Sequence, residues 1–301
     1  MLKKLLKVLG GLVALVLVVG AAYVGGTVHR YNASMAKVYE IPVPDLSASP
    51  DPEIIARGKH VAESTGGCAG GDCHGSDLAG GGTIEAGPVG KFSGPNITPR
   101  GVAASYSDGE IARLLLHGVK RDGRSLRFMP AHEINWLPDE DLVAVISYVR
   151  SVPGVEKANG TTEIGLLGKL LDRHDLFIAD VARRIDHEHR ETAPKPAPDA
   201  LYGAFLSRSC IGCHGEHLSG GKIPGAPPEM AIPANITPHA SGIASWSFGD
   251  FEHLLATGKR PDGREVNPMM PVQMLNNMNE IEKRALWEYL RSIPPREFGG
   301  R

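Results

Sequence analysis

The chain opens on a hydrophobic pattern with no polar face. Lys3, Lys4 and Lys7 come first, and from Val8 to Val28 no charged residue appears. An uncharged run of this length predicts a helix able to cross a bilayer, with its lysines on the cytoplasmic side. The lack of a polar stripe argues against a buried soluble helix. The small residues Gly20, Ala21 and Ala22 leave a second reading open, a cleaved secretory leader. The segment YEIPVPDLSASPDP (39–52) is polar and Pro-rich and reads as a linker.

Past the linker the pattern changes to short amphipathic helices between Gly- and Pro-rich loops, and each helix occurs twice. DPEIIARGKHVAES (51–64) is answered by DALYGAFLSRS (199–209). SDGEIARLLLHG (107–118) is answered by SFGDFEHLLATG (247–258), each opening on Ser and closing on Gly as a capped helix does. PDEDLVAVISYVRSV (138–152) is answered by NEIEKRALWEYLRSI (279–293). The loops repeat as well: CHGSDLAGG (73–81) with CHGEHLSGG (213–221), NITP (96–99) with NITP (235–238), HGVKRDGR (117–124) with TGKRPDGR (257–264). Strand signals are weak throughout. The period is far too long for a solenoid and predicts two copies of one folded unit. The expected organisation is an N-terminal anchor or leader at 1–30, a linker at 31–51, one unit at 52–153 and a second at 198–301. IGLLGKLLDRHDLFIADVARRI (164–185) reads as a helical connector within 154–197, and ETAPKPAPDA (191–200) as a semi-rigid spacer.

Composition narrows the chemistry. A chain of 301 residues allows about two domains, and a net charge of −2 gives no polybasic footprint for nucleic acid. All 4 Cys fall in two short motifs, leaving none for a structural disulfide. CIGCH (210–214) has the Cys-x-x-Cys-His spacing of c-type haem attachment, in which two thiols form thioethers and the adjacent His ligates iron. That assigns Cys210 and Cys213 to the porphyrin and His214 to the metal. A zinc knuckle would need a partner Cys pair for each site, which the chain lacks. A redox dithiol has no need of a following His. The first motif, GGCAGGDCHG (66–75), reads by register: Cys73 and His74 align with Cys213 and His214, and Cys68 supplies the other thioether across a loop eased by Gly70 and Gly71. A single thioether from Cys73 is the alternative, with iron on His74 in either case.

The sixth iron ligand decides between electron transfer and catalysis. A Met thioether raises the potential and suits electron transfer. The first copy offers Met129 in RFMPAH and the second Met269 or Met270 in NPMMPVQ. Pairing Met129-Pro130 with Met270-Pro271 selects Met270. His60, His117, His132 and His253 compete, but none has a counterpart in the other copy. Asn96 and Asn235 are candidates for bracing the haem loop, and Trp246, matched by Tyr106, for a haem edge or propionate.

Together these residues resemble the class I cytochrome c fold in two tandem copies. The run NITPHASGIASWSFGDF followed by MMP is similar to domains of bacterial multihaem cytochrome subunits found with membrane-bound alcohol, aldehyde and sugar-acid dehydrogenases. The resemblance covers 52–153 and 198–295. It implies an all-α, loop-rich, haem-centred fold behind a transmembrane helix, with two covalent haem c groups under His/Met ligation. It implies an electron carrier rather than an enzyme, on the periplasmic side of a bacterial inner membrane, in a respiratory chain. Partners would be a dehydrogenase, a quinol-oxidising complex, a terminal oxidase or a soluble cytochrome. A dihaem peroxidase is the alternative, and a Met in each copy argues against it.

Overall fold

Thirty-five residues of unbroken helix, α1 (Leu2–Ala36), open the computed structural model, which describes residues 1–69, 73–188, 190, 192–226 and 230–301. Every Leu and Val from Leu2 to Val19 is exposed. By length and composition α1 can cross a membrane. It does not end with its apolar run. Thr27, Tyr31 and Met35 are buried at four-residue spacing, one stripe of the helix. Tyr31 and Met35 join Phe92, Ile164 and Ala179 in a core cluster. The Ser34 hydroxyl and the Tyr39 phenol both donate to the buried Asp180 carboxylate. Residues 31–36, expected as the start of a linker, are therefore the docked end of α1.

The helix-rich body follows. In the first half, α2 (Pro52–Glu63) starts on Asp51, whose carboxylate accepts the Glu53 amide. Then come a hairpin of β1 (Thr83–Glu85) and β2 (Gly90–Ser93), α3 (Asp108–His117) and α4 (Asp139–Ser151). The connector holds β3 (Glu163–Ile164) and α5 (Leu166–Arg173). The second half holds α6 (Ala200–Leu206), α7 (Arg208–His214), α8 (Phe248–Thr257), α9 (Val272–Asn276) and α10 (Glu280–Ser292). α3 and α8 each begin with a reciprocal capping box, Ser107 with Glu110 and Ser247 with Asp250. Each ends on a left-handed Gly.

Both halves are closed by their first and last helices crossing at a glycine. A Cβ on Gly58 of α2 would lie 1.8 Å from the Ala144 carbonyl oxygen on α4. A Cβ on Gly203 of α6 would lie 1.9 Å from the Ala285 oxygen on α10. Tyr148 and Tyr289 stand beside the two crossings. No other residue admits backbones this close.

Two sequence expectations change. The all-α expectation misses a three-stranded antiparallel sheet, in which Ile84 pairs with Phe92 and Gly90 with Ile164. Strands of two to four residues are too short for alternation to emerge from the sequence. The helix expected over 164–185 ends at Arg173. The Asp172 carboxylate turns back to accept the Ala179 amide, and Asp175 adopts a left-handed conformation.

The halves share one core. Leu115, Leu116, Trp136, Leu142 and Val145 pack with Tyr202, Phe205 and Leu206, and Trp136 meets Phe205 edge-on at 4.7 Å. At the rim of this joint, His60 Nε2 lies 2.9 Å from both oxygens of Glu282. The Glu282 carboxylate raises the His60 pKa above its usual 6.5. The folded state thus favours the imidazolium, and this contribution is complete below the unfolded pKa and lost as pH rises through the folded one. Urea unfolding should show up to about 1 kcal/mol less stability at pH ~8 than at pH ~6 from this contact. His60→Gln should flatten that part of the slope; an unchanged slope would place its origin elsewhere.

Candidate functional site

The second Cys motif lies within α7. Cys210 and Cys213, three residues apart, share one helix face, and no disulfide joins them. His214 is buried, and its Nδ1 sits 2.7 Å from the Ala234 carbonyl oxygen. A carbonyl only accepts, so Nδ1 carries the proton and Nε2 the lone pair. Burial lowers the His214 pKa, which keeps the ring neutral. This is the tautomer and charge state of a metal ligand, oriented by a bond to its other nitrogen. Burial pushes the Cys210 thiol up to about 11 and raises that of Cys213. Reactive dithiols need the opposite shift.

The first motif repeats the histidine geometry. His74 is buried, its Nδ1 is 2.8 Å from the Pro95 oxygen, and burial lowers its pKa. Cys68 is half-buried, donates its thiol to the Gly66 oxygen at 3.4 Å, and is pushed up to about 11 by burial. Cys73 is exposed. Gly70 and Gly71, expected to ease the longer loop, lie outside the described residues.

The two accepting carbonyls belong to the residues just before NITP, and those loops are bolted down in the same way. Asn96 Oδ1 accepts from the Thr98 amide and hydroxyl, and its Nδ2 donates to the Val155 oxygen. Asn235 Oδ1 accepts from the Thr237 amide and hydroxyl, and its Nδ2 donates to the Arg296 oxygen. The Thr98 and Thr237 hydroxyls in turn accept the amides of Val155 and Arg296. Turn formation and bracing are thus one device: a buried Asn–Thr pair ties the histidine-orienting loop to the strand of chain leaving the last helix. Arg150 and Arg291, in the repeated RSVP and RSIP, add a second tie through Nη1, to the oxygens of Ala103 and Ile243. Thr98, Thr237, Arg150 and Arg291 had no assigned role from sequence, although their repetition was the available signal.

The Met loops also match. Pro130 has φ −81° and ψ 60°, and Pro271 has φ −81° and ψ 59°. The Ala131 amide donates to the Met129 oxygen and the Val272 amide to the Met270 oxygen, both at 2.8 Å. Both are inverse γ-turns. Met270 packs on the second core together with Cys210, Ile211 and Trp246, whereas Met269 is 56% exposed. Met129 packs on the shared core and Cys68 on a neighbouring cluster, with Ile111 touching both. The rival histidines differ: His60 is held by Glu282 and His117 Nδ1 lies 3.2 Å from His187 Nδ1. His132 Nδ1 is buried without a hydrogen-bond partner.

Two unbridged thiols beside a buried, Nε2-presenting His fit a covalently attached haem in both halves. Cys68, Cys73, Cys210 and Cys213 would hold the porphyrin, and His74 and His214 the iron.

Residues 202–294 match the cytochrome c family model. The chain is 31% identical over 110 residues to the cytochrome c subunit of a quinone alcohol dehydrogenase of Gluconacetobacter polyoxogenes, covering 33% of this chain and 24% of that protein. It is 30% identical over 111 residues to the fructose dehydrogenase cytochrome subunit of Gluconobacter japonicus, covering 33% and 23%. It is 30% identical over 106 residues to the gluconate 2-dehydrogenase cytochrome c subunit of Pantoea cypripedii, covering 32% and 24%. The matches therefore span about a quarter of each relative. Residues 202–294 thus match the cytochrome c family, and over about a third of its length the chain resembles the cytochrome c subunits of bacterial dehydrogenases.

Proposed function

We propose that the chain is a membrane-anchored dihaem c-type cytochrome, built of two tandem cytochrome c domains, that relays electrons on the outer side of a bacterial inner membrane. The observation that carries this reading is the doubled histidine geometry: His74 and His214 each fix Nδ1–H on a carbonyl and leave Nε2 as the free ligand atom. Bound at each site, haem c supplies a one-electron iron couple. The protein's part is to hold that couple at one geometry. The Asn–Thr clamps keep the histidine-orienting loops rigid, Met129 and Met270 would supply a thioether to each iron, and the apolar clusters beside them would exclude water.

Transfer between the halves is supported by reciprocal contacts. The Glu133 carboxylate, four residues past Met129, lies against Gly212 of the second motif. The Met274 sulfur, four residues past Met270, lies against Gly67 of the first. The segment after each Met therefore touches the other half's attachment segment. The partner is a redox protein, and the relatives make a dehydrogenase the first candidate. Quinol-oxidising complexes, terminal oxidases and soluble cytochromes remain chemically suitable. The apolar part of α1 beyond Lys7 keeps the relay at the membrane.

Full-length protein from a host with a haem-ligation system should carry two haems that resist acidic acetone. Carbon monoxide should bind the reduced protein poorly. Met129→Ala and Met270→Ala should each open one iron to carbon monoxide and remove half of the sulfur–iron charge-transfer band. Rapid, complete carbon monoxide binding by the unaltered protein would instead favour the peroxidase alternative.

A further inference from the structure

α5 runs antiparallel to the outer part of α1 and meets it at three levels. Lys169 lies over the Tyr31 ring at 5.2 Å. Arg173 lies over the Tyr23 ring at 4.9 Å and donates to the Thr27 hydroxyl at 3.3 Å. The exposed His174 meets the Tyr23 hydroxyl at 2.5 Å. Two polar side chains thus touch α1 at Tyr23 and Thr27, inside the uncharged run of Val8–Val28. A guanidinium does not rest in lipid hydrocarbon. The run that looks like the span from sequence is therefore not the span that the folded protein inserts.

Resting on the membrane-anchor reading above, we infer that the bilayer's outer boundary lies at Tyr23. The turn Arg173–Leu176 then sits in the phospholipid headgroup layer. The lengths agree. Lys4 to Tyr23 rises roughly 28 Å at 1.5 Å per residue, close to the thickness of a hydrocarbon core. Lys3 and Lys4 then mark the inner boundary, and Lys7, one turn deeper, reaches back to it along its apolar stem. Tyr23 takes the interfacial position that Tyr favours in spanning helices. The turn suits its surroundings: Arg173 and His174 match lipid phosphates, and Leu176, 42% exposed, offers an apolar side chain beside them. Asp175 is neutralised by Arg183 and Arg184.

The consequence is a fixed seat. Tyr31, Met35 and the Ser34–Asp180 bond continue the helix into the body. The body is held upright on the outer leaflet at one height and does not swing on a tether. Leu166, at the opposite end of α5 and 48% exposed, stands in water by the same geometry.

Nitroxide labels on Val16→Cys, Leu176→Cys, Leu166→Cys and Asp262→Cys test this in full-length protein, in vesicles of phosphatidylethanolamine and phosphatidylglycerol. Unsubstituted protein is treated alike to subtract background. Collision with oxygen, relative to a water-soluble nickel chelate, should be highest at Val16 and several-fold lower at Leu166 and Asp262. Leu176 should fall between them. His174→Cys serves as a second position should the Leu176 variant not fold. Leu176 as water-exposed as Leu166, with Val16 in lipid, would overturn the seat and leave the anchor standing. Leu176 as deep as Val16 would also overturn it, and Val16 in water would end the anchor reading and the seat together.

Discussion

Protein with Cys210 and Cys213 both changed to Ala should carry one covalent haem per chain instead of two, read as half the haemochrome absorbance per mole. The reasoning starts from the two thiols on one face of α7, three residues apart. Burial raises the pKa of both thiols, which disfavours the free thiolate, and no disulfide joins them. Removing them deletes the only attachment chemistry in the second half, while Cys73 and His74 still serve the first. A variant that retains two covalent haems would refute the assignment of this motif. A variant that loses both would show that the halves do not load independently. The loss should also loosen the second half, because Met270 and Trp246 pack on the same apolar cluster as Cys210, and a small loop-rich unit leans on such a filler for its core. Cys68→Ala is the informative companion. With Cys73 and His74 intact it should keep its haem through one thioether, and the reduced band should move to longer wavelength because one vinyl group stays conjugated.

Where the chain repeats itself, the sequence was a good guide. The capped helices α3 and α8 begin and end where Ser107, Gly118, Ser247 and Gly258 place them. The Met129–Pro130 and Met270–Pro271 pairs adopt one turn, as their register requires. Three features stayed hidden for physical reasons. The strands of the small sheet are too short to display alternation. The break after Arg173 depends on an Asp172 carboxylate reaching an amide seven residues away, which a periodic pattern cannot encode. The contact of Arg173 with the Tyr23 ring is tertiary, and hydropathy along α1 alone does not register it. Local periodicity reports what a segment prefers; each of these three is decided by a distant neighbour.

Gly203→Ala and Gly249→Ala should move stability in opposite directions, though both replace a helical Gly in the same half. Ala is the better helix former by about 1 kcal/mol, and that gain is available at both positions. At Gly249 the new Cβ meets only the Ser247 hydroxyl at 3.8 Å, so the propensity gain stands alone. At Gly203 the new Cβ would lie 1.9 Å from the Ala285 carbonyl oxygen, 2.5 Å from its carbon and 2.7 Å from the Tyr289 Cβ. Nonbonded contact requires roughly 3.5 Å, so α6 and α10 must part by more than an ångström. The obstacle is backbone, which cannot rotate aside as a flexible side chain would. Overpacking of this kind costs about 1–3 kcal/mol, and the rigid obstacle puts it at the upper end. The clash therefore outweighs the propensity gain by about 2 kcal/mol, or a fall of roughly 10 °C in Tm for a unit of this size. Gly249→Ala should raise Tm by a few degrees on the same scale. Thermal unfolding followed at the haem band would read both. A Gly203→Ala protein as stable as the parent would mean that the two helices do not meet at this glycine, and the same closure at Gly58 and Ala144 in the first half would fall with it.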